Sequence, residues 1–349
     1  HFPSTDGADD KTREIAWYAL ADYHIGDRYY FNAGLSAQAS SRFGDDVSGL
    51  KLFGNVWGLF PSVQGSWVIS NEKWLARIKA INYLRLSLGF DVTGNDDIDY
   101  TASRSYFIAK RMLNQGVSGK IIGNIGNTDL QWETTRRLTA GLTANILDNR
   151  LHLNVNAYKS WTSNLLSLRQ LAYTSGLQEN WSNDGKLENT GFDVTLTGKV
   201  LAIKNFTWEL GASAGHYKNE VTTLPDNNRS IETDVYGATI LTQVGQPVGV
   251  FYGYKTAGVY ATTDDAQADG HNIIKQNGDR QYFQAGDMHF LDLSASAASG
   301  SAADKGLIDD ADRTIIGDPN PDLYGNIFTS LTYKNLRLDA TLTYSLGKS

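Results

Sequence analysis

The stretch that decides the fold runs from Gly123 to Trp161 and reads GNIGNTDLQWETTRRLTAGLTANILDNRLHLNVNAYKSW. After a polar lead-in, two segments alternate apolar and polar residues, and Asp148-Asn149 joins them. One side is apolar: Leu138, Ala140, Leu142, Ala144, Ile146, Leu151, Leu153, Val155 and Ala157. The other side is small and polar: Thr139, Gly141, Thr143, Asn145, His152, Asn154 and Asn156. This period-two pattern predicts an antiparallel β-hairpin with two different faces.

The same alternation recurs from Ile15 to Tyr344, in runs longer than the five or six residues of an ordinary strand. Membrane-spanning strands need about nine to eleven residues. The connections alternate in size as well. Tight turns such as Lys334-Asn335 alternate with long predicted loops: Val92–Asn127, Ser163–Glu188, Lys218–Tyr254 and Ala261–Asp322. Short turns on one rim and long loops on the other predict an all-β fold, an antiparallel transmembrane β-barrel.

Composition favours the same class. The chain holds 34 Gly, 18 Tyr and 8 Trp in 349 residues, which is typical of β-structure. The count of 0 Cys removes disulfides, thiolate catalysis and cysteine-ligated zinc. A net charge of −7 without a basic run argues against a nucleic-acid partner, and no apolar run is long enough to predict a transmembrane helix.

A soluble β-sandwich is the alternative that the alternation alone leaves open. The water-facing side of such a sandwich usually carries many Lys and Glu residues. Here the polar phase is mostly Thr, Ser, Asn and Gly. This composition favours the membrane barrel, in which small polar residues line a wet interior.

Four blocks, in order, resemble landmarks of the SusC/RagA-type TonB-linked outer-membrane proteins of Bacteroidota. They are SSRFGDD with FPSVQGSWVISNEKWL in Ser40–Leu75, LRLSLGFDVTGNDDI in Leu84–Ile98, GNTDLQWETT in Gly126–Thr135, and GQPVGVFYGYKTAGVY in Gly245–Tyr260, which leads to GLIDDADRTIIGDPNPDLYG in Gly306–Gly325. The resemblance covers nearly all of the chain and identifies it as the C-terminal barrel portion of such a protein.

The resemblance implies a large plugged barrel of about 22 strands when complete, of which this chain supplies roughly the second half. Residues 1–349 are therefore expected to be part of one TonB-dependent transporter barrel domain, with the plug, the early strands and the closing strands outside them. The implied function is active nutrient import across the outer membrane, for an oligosaccharide or a peptide. The implied partners are a SusD-like surface lipoprotein, the TonB-ExbB-ExbD energy-transducing complex and outer-membrane lipid. A passive porin, an outer-membrane adhesin or structural barrel, and a soluble carbohydrate-active protein are the alternatives.

The chain departs from the family pattern at two places. The family usually has Pro after Gly-Asn in the third block, where this chain has Thr128, and an Asx-type cap from Asn127 is still expected. The family's compact acidic loop is interrupted here by ten Ser, Ala and Gly residues between Asp292 and Asp304.

That acidic loop is the candidate metal site, with Ca²⁺ as the metal. Its carboxylates are those of Asp304, Asp309, Asp310 and Asp312. Calcium binds several hard oxygens from a flexible loop, although the ligand offsets of an EF-hand are not met. The alternative is a solvated acidic turn in which Asp312 and Arg313 cap neighbouring strands. No cofactor is required by the implied function.

Substrate contact is predicted in the long loops, where aromatic and amide side chains suit sugar rings and peptide groups. The candidates are Tyr106, Tyr173, Asn180, Trp181 and Tyr236, and packing between loops is the alternative role for each. No catalytic set is predicted, and the chain is not expected to be an enzyme. The six histidines lie at His1, His24, His152, His216, His271 and His289. They lack zinc-site spacing, so only folding could assemble such a site from them.

Overall fold

The computed structural model describes residues 11–44, 49–75, 77–111, 118–171, 174, 176–177, 179–225, 228–294 and 306–348. The chain divides into two compact units. His1–Arg229 and Asp322–Leu346 form the first unit, and Ser230–Pro321 with Gly347–Ser349 forms the second. No helix among the described residues is long and apolar enough to cross a membrane.

The first unit is built almost entirely of strands. The strands that precede the second unit are β1 (Glu14–Ile25), β2 (Tyr29–Ser40), β3 (Leu50–Leu52), β4 (Asn55–Val68), β5 (Ile81–Asn95), β6 (Tyr106–Arg111), β7 (Ser118–Asn124), β8 (Glu133–Ile146), β9 (Leu151–Gln170), β10 (Glu179–Ile203) and β11 (Phe206–Thr223).

The second unit follows β11 and contains shorter strands with one α-helix. Its elements are β12 (Ser230–Val235), β13 (Ala238–Gln243), β14 (Val250–Tyr254), β15 (Thr256–Val259), α1 (Thr263–Asp269), β16 (Asn272–Ile274), β17 (Arg280–Tyr282), β18 (Met288–Phe290) and β19 (Arg313–Gly317). The chain then returns to the first unit as β20 (Leu323–Tyr333) and β21 (Leu336–Leu346).

An 11-stranded antiparallel sheet forms the first unit, in the order β1-β2-β4-β5-β8-β9-β10-β11-β20-β21, with β3 paired to β4. Each strand of this order pairs with the one before it, so the two inserted segments, β6–β7 and β12–β19, do not interrupt the meander. The hairpin predicted within Gly123–Trp161 is confirmed, because β8 pairs with β9 across the Asp148-Asn149 turn and Leu142 lies opposite Val155. A continuous meander is the topology of an up-and-down barrel wall.

The connections sort onto two rims, as the sequence predicts. Residues 26–28, 69–75, 77–80, 147–150, 204–205 and 334–335 lie on one rim, and backbone hydrogen bonds join neighbours there: Leu147 N donates to Ala80 O at 2.8 Å and Lys334 N to Asn205 O at 2.9 Å. The opposite rim carries the described residues of the connections β2–β4, β5–β8 and β9–β10, and on it the chain leaves β11 for the second unit and returns to β20. The long rim therefore holds the β6–β7 hairpin and the entry to the second unit.

Two neighbouring rows of paired residues show that the sheet has one apolar and one polar face. The apolar row crosses seven strands as Leu84, Ala144, Leu153, Leu196, Ala212, Ile327 and Leu342. One residue along, the polar row reads Arg85, Thr143, Asn154, Thr195, Ser213, Asn326 and Thr343. Successive side chains of a strand point to opposite faces, so each row belongs to a different face.

The apolar face is exposed rather than packed in a core. Leu196 is 42% exposed, Ile327 46% and Leu342 66%. A soluble β-sandwich would bury this face against a second sheet. Soluble monomers rarely leave contiguous apolar patches larger than a few hundred Å² exposed. The face is therefore suited to lipid, and the opposite one to water.

Within the second unit, four strands pair in the order β12-β13-β14-β19, and two further pairs are β15–β18 and β16–β17. A small core joins Tyr260, Ala266, Phe283 and Ile308, with Phe290 packed against it. Helix α1 begins after Thr262, whose hydroxyl accepts a hydrogen bond from Asp265 N at 3.1 Å. It ends at Gly270, whose φ of 71° is readily adopted only by glycine.

Candidate functional site

The block GNTDLQWE lies at the buried centre of the long-loop rim. Leu130 is fully buried, and Trp132 packs against Phe43 and Phe60 with ring centroids 5.0 and 5.3 Å apart. Ile98 and Ala102 complete this cluster. The cluster anchors the start of β8 against the loops that follow β2 and β5.

Side-chain amides tie this block to the first part of β10. Asn127 Nδ2 donates to the carbonyl of Trp181 at 3.1 Å, and Asn183 Nδ2 donates to the carbonyl of Gln131 at 3.0 Å. Both bonds replace backbone partners that irregular loops otherwise lack. They fix the segment of β10 that extends beyond the length needed to span a membrane.

The turn at Asn127 has the geometry that the sequence predicts. Asn127 Oδ1 accepts a hydrogen bond from Asp129 N at 3.1 Å, so the Asx-type cap forms with Thr128 in place of proline. Gly126 is required for a different reason. A Cβ at this position would lie 2.5 Å from the carbonyl carbon of Arg104 and 2.6 Å from the carbonyl oxygen of Ser103.

Beside this block, a cavity of about 410 Å³ contains three of the five predicted substrate-binding residues. Tyr106 comes from β6, and Asn180 and Trp181 come from the start of β10. Aliphatic side chains of the β6–β7 hairpin and the carboxylates of Asp99 and Glu179 also line it. The cavity thus combines aromatic surface with amide and carboxylate groups, which is the composition of a site for a polar organic molecule.

Asn180 is the most constrained of these residues. It is 8% exposed, and its Nδ2 donates to the carbonyl of Ile125 at 3.5 Å. Its Oδ1 is buried and has no hydrogen-bond partner in the described part of the chain. An unpaired buried acceptor costs about 1–3 kcal/mol. A turn of this amide toward a hydroxyl or N–H group in the cavity would recover that cost.

The other two candidates are not placed at this cavity. Tyr173 lies outside the described residues. Tyr236 stands fully exposed at the β12–β13 turn of the second unit, with a φ of 50°. The sequence prediction missed Asp99 and Glu179, because isolated acids in polar loops carry no pattern. It also assigned β6 and β7 to a loop, although the short apolar run YFIA (Tyr106–Ala109) is a weak strand signal.

In the acidic loop, Asp312 is fully buried and held by backbone N–H groups. Its Oδ1 accepts from Leu293 N and Ser294 N, both at 2.8 Å, and its Oδ2 accepts from Asp309 N at 2.9 Å. Desolvation by burial raises the pKa of Asp312, but these hydrogen bonds outweigh it, so the pKa lies below its ordinary value.

Asp312 therefore caps backbone N–H groups within the loop, rather than those of the neighbouring strands named in the alternative to calcium binding. Asp309 Oδ1 accepts from Ala311 N at 2.8 Å and completes a capping box with Asp312. Asp310 accepts a hydrogen bond from the Tyr254 hydroxyl at 3.4 Å. Asp304 lies outside the described residues, and calcium binding by this loop stays a prediction.

Comparison with known proteins supports the resemblance. The family model described as TonB dependent receptor-like, beta-barrel matches residues 2–347. TonB-dependent receptor P3 of Formosa agariphila is 27% identical over 97% of this chain and 32% of its own length. TonB-dependent receptor SusC of Bacteroides thetaiotaomicron is 25% identical over 95% of this chain and 31% of its own length.

A solved structure of the RagAB peptide transporter superposes with a TM-score of 0.76 at 22% identity, over 97% of this chain and 33% of that chain. This likeness shows the same fold. The chain spans about a third of the length of the curated relatives it matches. It belongs to the TonB-dependent receptor-like β-barrel family, in its SusC/RagA branch, whose members are outer-membrane transport proteins.

Proposed function

We propose that this chain forms part of the wall of an importer that carries an oligosaccharide or a peptide across the outer membrane. The observation that carries the proposal is the polar row from Arg85 to Thr343, which crosses seven strands without an apolar residue. Such a row provides a wet surface along which a polar molecule is able to move. Import of this kind involves no covalent chemistry.

The cavity at Tyr106, Asn180 and Trp181 is proposed as a point of substrate contact on the long-loop rim. Flat aromatic rings stack on sugar rings and on peptide planes, and an amide offers both a donor and an acceptor. The cavity adjoins the buried GNTDLQWE block, so its walls are pre-organised before binding. Pre-organisation lowers the entropic cost of binding.

Energy and capture are proposed to come from proteins outside this chain. The TonB-ExbB-ExbD complex would drive import by acting on the plug domain that the resemblance places outside residues 1–349. A SusD-like surface lipoprotein would cover the long-loop rim, where the β6–β7 hairpin and the second unit enter. Family membership and the SusC and RagAB relatives support both partners.

Uptake by cells that lack the gene tests the proposal, with a panel of oligosaccharides and peptides and with the wild-type gene restored as control. Loss of accumulation of one substrate class is expected. The same loss is expected when the gene is present but TonB is absent. Uptake that survives without TonB would indicate a passive porin, and binding without accumulation an adhesin. Hydrolysis of the panel by the detergent-free protein would indicate a soluble carbohydrate-active protein.

A further inference from the structure

Three potential metal ligands meet in the second unit although their sequence spacing does not suggest a site. Asp269 is the last residue of α1, His271 follows it by two positions, and His289 lies in β18. Gly270 separates the first two, and its left-handed backbone turns the chain directly after the helix. Pairing of β15 with β18 places His289 near the end of the helix.

The donor atoms are already close together. One carboxylate oxygen of Asp269 and one ring nitrogen each of His271 and His289 all lie within 4.8 Å of one another. His289 Nε2 and Asp269 Oδ2 are 3.1 Å apart. In a tetrahedral zinc site with bonds of about 2.0–2.1 Å, neighbouring donors are about 3.3 Å apart. Each separation between donors therefore needs to shorten by about 1.5 Å at most to complete such a set.

Tyr260 contacts both imidazole rings and holds their orientation. Its ring stacks on His289 with a centroid distance of 4.4 Å, and its hydroxyl bonds to Nδ1 of His271 at 3.1 Å. Tyr260 is itself fixed in the core formed with Ala266 and Phe283. A histidine that binds metal usually has such a partner on its ring.

We propose that Asp269, His271 and His289 form a binding site for a divalent transition-metal ion, with Zn²⁺ as the ion that fits best. Two imidazoles and one carboxylate suit ions of borderline softness, whereas Ca²⁺ and Mg²⁺ prefer oxygen donors alone. Three protein ligands leave a fourth position for water or for a group of a bound molecule. The ion would fasten the end of α1 to β18.

An isolated ion pair explains less of this arrangement. The contact between His289 and Asp269 is partly exposed, and such pairs contribute little to stability. It also leaves unexplained why a second imidazole, that of His271, approaches the first at a centroid distance of 5.7 Å.

The test uses the complete protein purified in detergent, stripped of metal with a chelator and titrated calorimetrically with Zn²⁺ alone. Co²⁺ substitution provides a second readout, because its visible absorption reports tetrahedral nitrogen and oxygen ligands. The ligand variants are His289→Gln and Asp269→Asn. Asp269→Asn keeps a hydrogen-bonding group at the helix end, so its Zn²⁺ binding tests the proposal even if His289→Gln fails to fold. His24→Gln is the matched control, since His24 faces Asp27 at 3.9 Å and, among the described residues, belongs to no group of three potential metal ligands.

The wild-type protein is expected to bind one Zn²⁺ ion more than either ligand variant, and His24→Gln is expected to behave as wild type. Tyr260→Phe keeps the ring but loses the hydroxyl, and a decrease of about 10- to 100-fold in affinity is expected for the loss of such a supporting partner. Equal Zn²⁺ stoichiometry and affinity in wild type and in both ligand variants would overturn the proposal. So would a tetrahedral Co²⁺ spectrum that survives in Asp269→Asn.

Discussion

Leu88→Arg and Ser87→Arg place the same charge on opposite faces of β5. Leu88 has seven strand residues on each side and is 57% exposed on the apolar face. The fourteen steps between its fifteen residues, at a rise of about 3.3 Å and a tilt of about 40°, span about 35 Å along the membrane normal. Leu88 therefore lies close to the bilayer midplane. Ser87 is its neighbour on the polar face, paired with Ser66 and Gly141.

An arginine at the midplane on the lipid face destabilises a barrel by about 2–4 kcal/mol. This corresponds to about 30- to 1000-fold in the equilibrium between folded and unfolded protein. At position 87 the long side chain would lie on the polar face that already carries Arg85, whose guanidinium donates to Ser66 Oγ at 2.8 Å, so a change below about 1 kcal/mol is expected.

The complete protein is folded into lipid vesicles and incubated at increasing denaturant concentrations. Detergent gels of unheated samples then give the fraction that is still folded at each concentration, and the midpoint of this curve is the measured quantity. Leu88→Arg is expected to lower this midpoint strongly and to reduce the amount of protein in the outer membrane. Ser87→Arg is expected to stay near wild type. Equal effects of the two substitutions, or a larger effect at position 87, would refute the assignment of lipid and water to the two faces.

Three further predictions follow from the loops. Gly126→Ala is expected to loosen the GNTDLQWE block, because the new methyl group meets the Arg104 backbone, and limited proteolysis should then cut within residues 96–132. Trp181→Ala is expected to weaken substrate binding by about 2- to 12-fold, from about 0.5–1.5 kcal/mol of lost aromatic contact; Trp74→Ala, an exposed Trp on the short-turn rim, should leave the dissociation constant unchanged. The pKa of Asp312 is lower in the folded protein than its unfolded value of about 3.9, so its stabilisation is present above that value and is lost as the pH falls through the folded pKa. Acid should therefore reduce the protease resistance of the second unit in the wild-type protein. In Asp312→Asn this resistance should be lower at pH 7 and should change less with pH.

The alternating segments made the barrel wall predictable, but not its full extent. Ser163–Glu188 was predicted as a loop, whereas β9 continues to Gln170 and β10 begins at Glu179. Alternation is lost there because the pairing of β9 with β10 shifts register between Ser182 and Lys186. Polar residues also occupy both faces of this extension, so no apolar phase marks it as a strand.

The candidate site was predictable in residue type but not in composition. The aromatic rings of Tyr106 and Trp181 suggest substrate contact, but it is the inserted β6–β7 hairpin that brings them to one cavity. The group of Asp269, His271 and His289 could not be predicted, since the helix end, a glycine turn and a strand pairing all contribute to it. Such sites depend on tertiary contacts that no local spacing encodes.

The two-sided wall is tested most directly by single spin labels at each position from Phe192 to Thr197 in β10 of the complete protein. Accessibility is measured to oxygen, which concentrates in lipid, and to a water-soluble nickel complex. Labels at Phe192, Val194 and Leu196 are expected to contact oxygen, and labels at Asp193, Thr195 and Thr197 the nickel complex, with the two periodicities of two residues out of phase. Accessibilities that rise and fall together, or that lack a period of two, would contradict the assignment of one face to lipid and the other to a wet lumen.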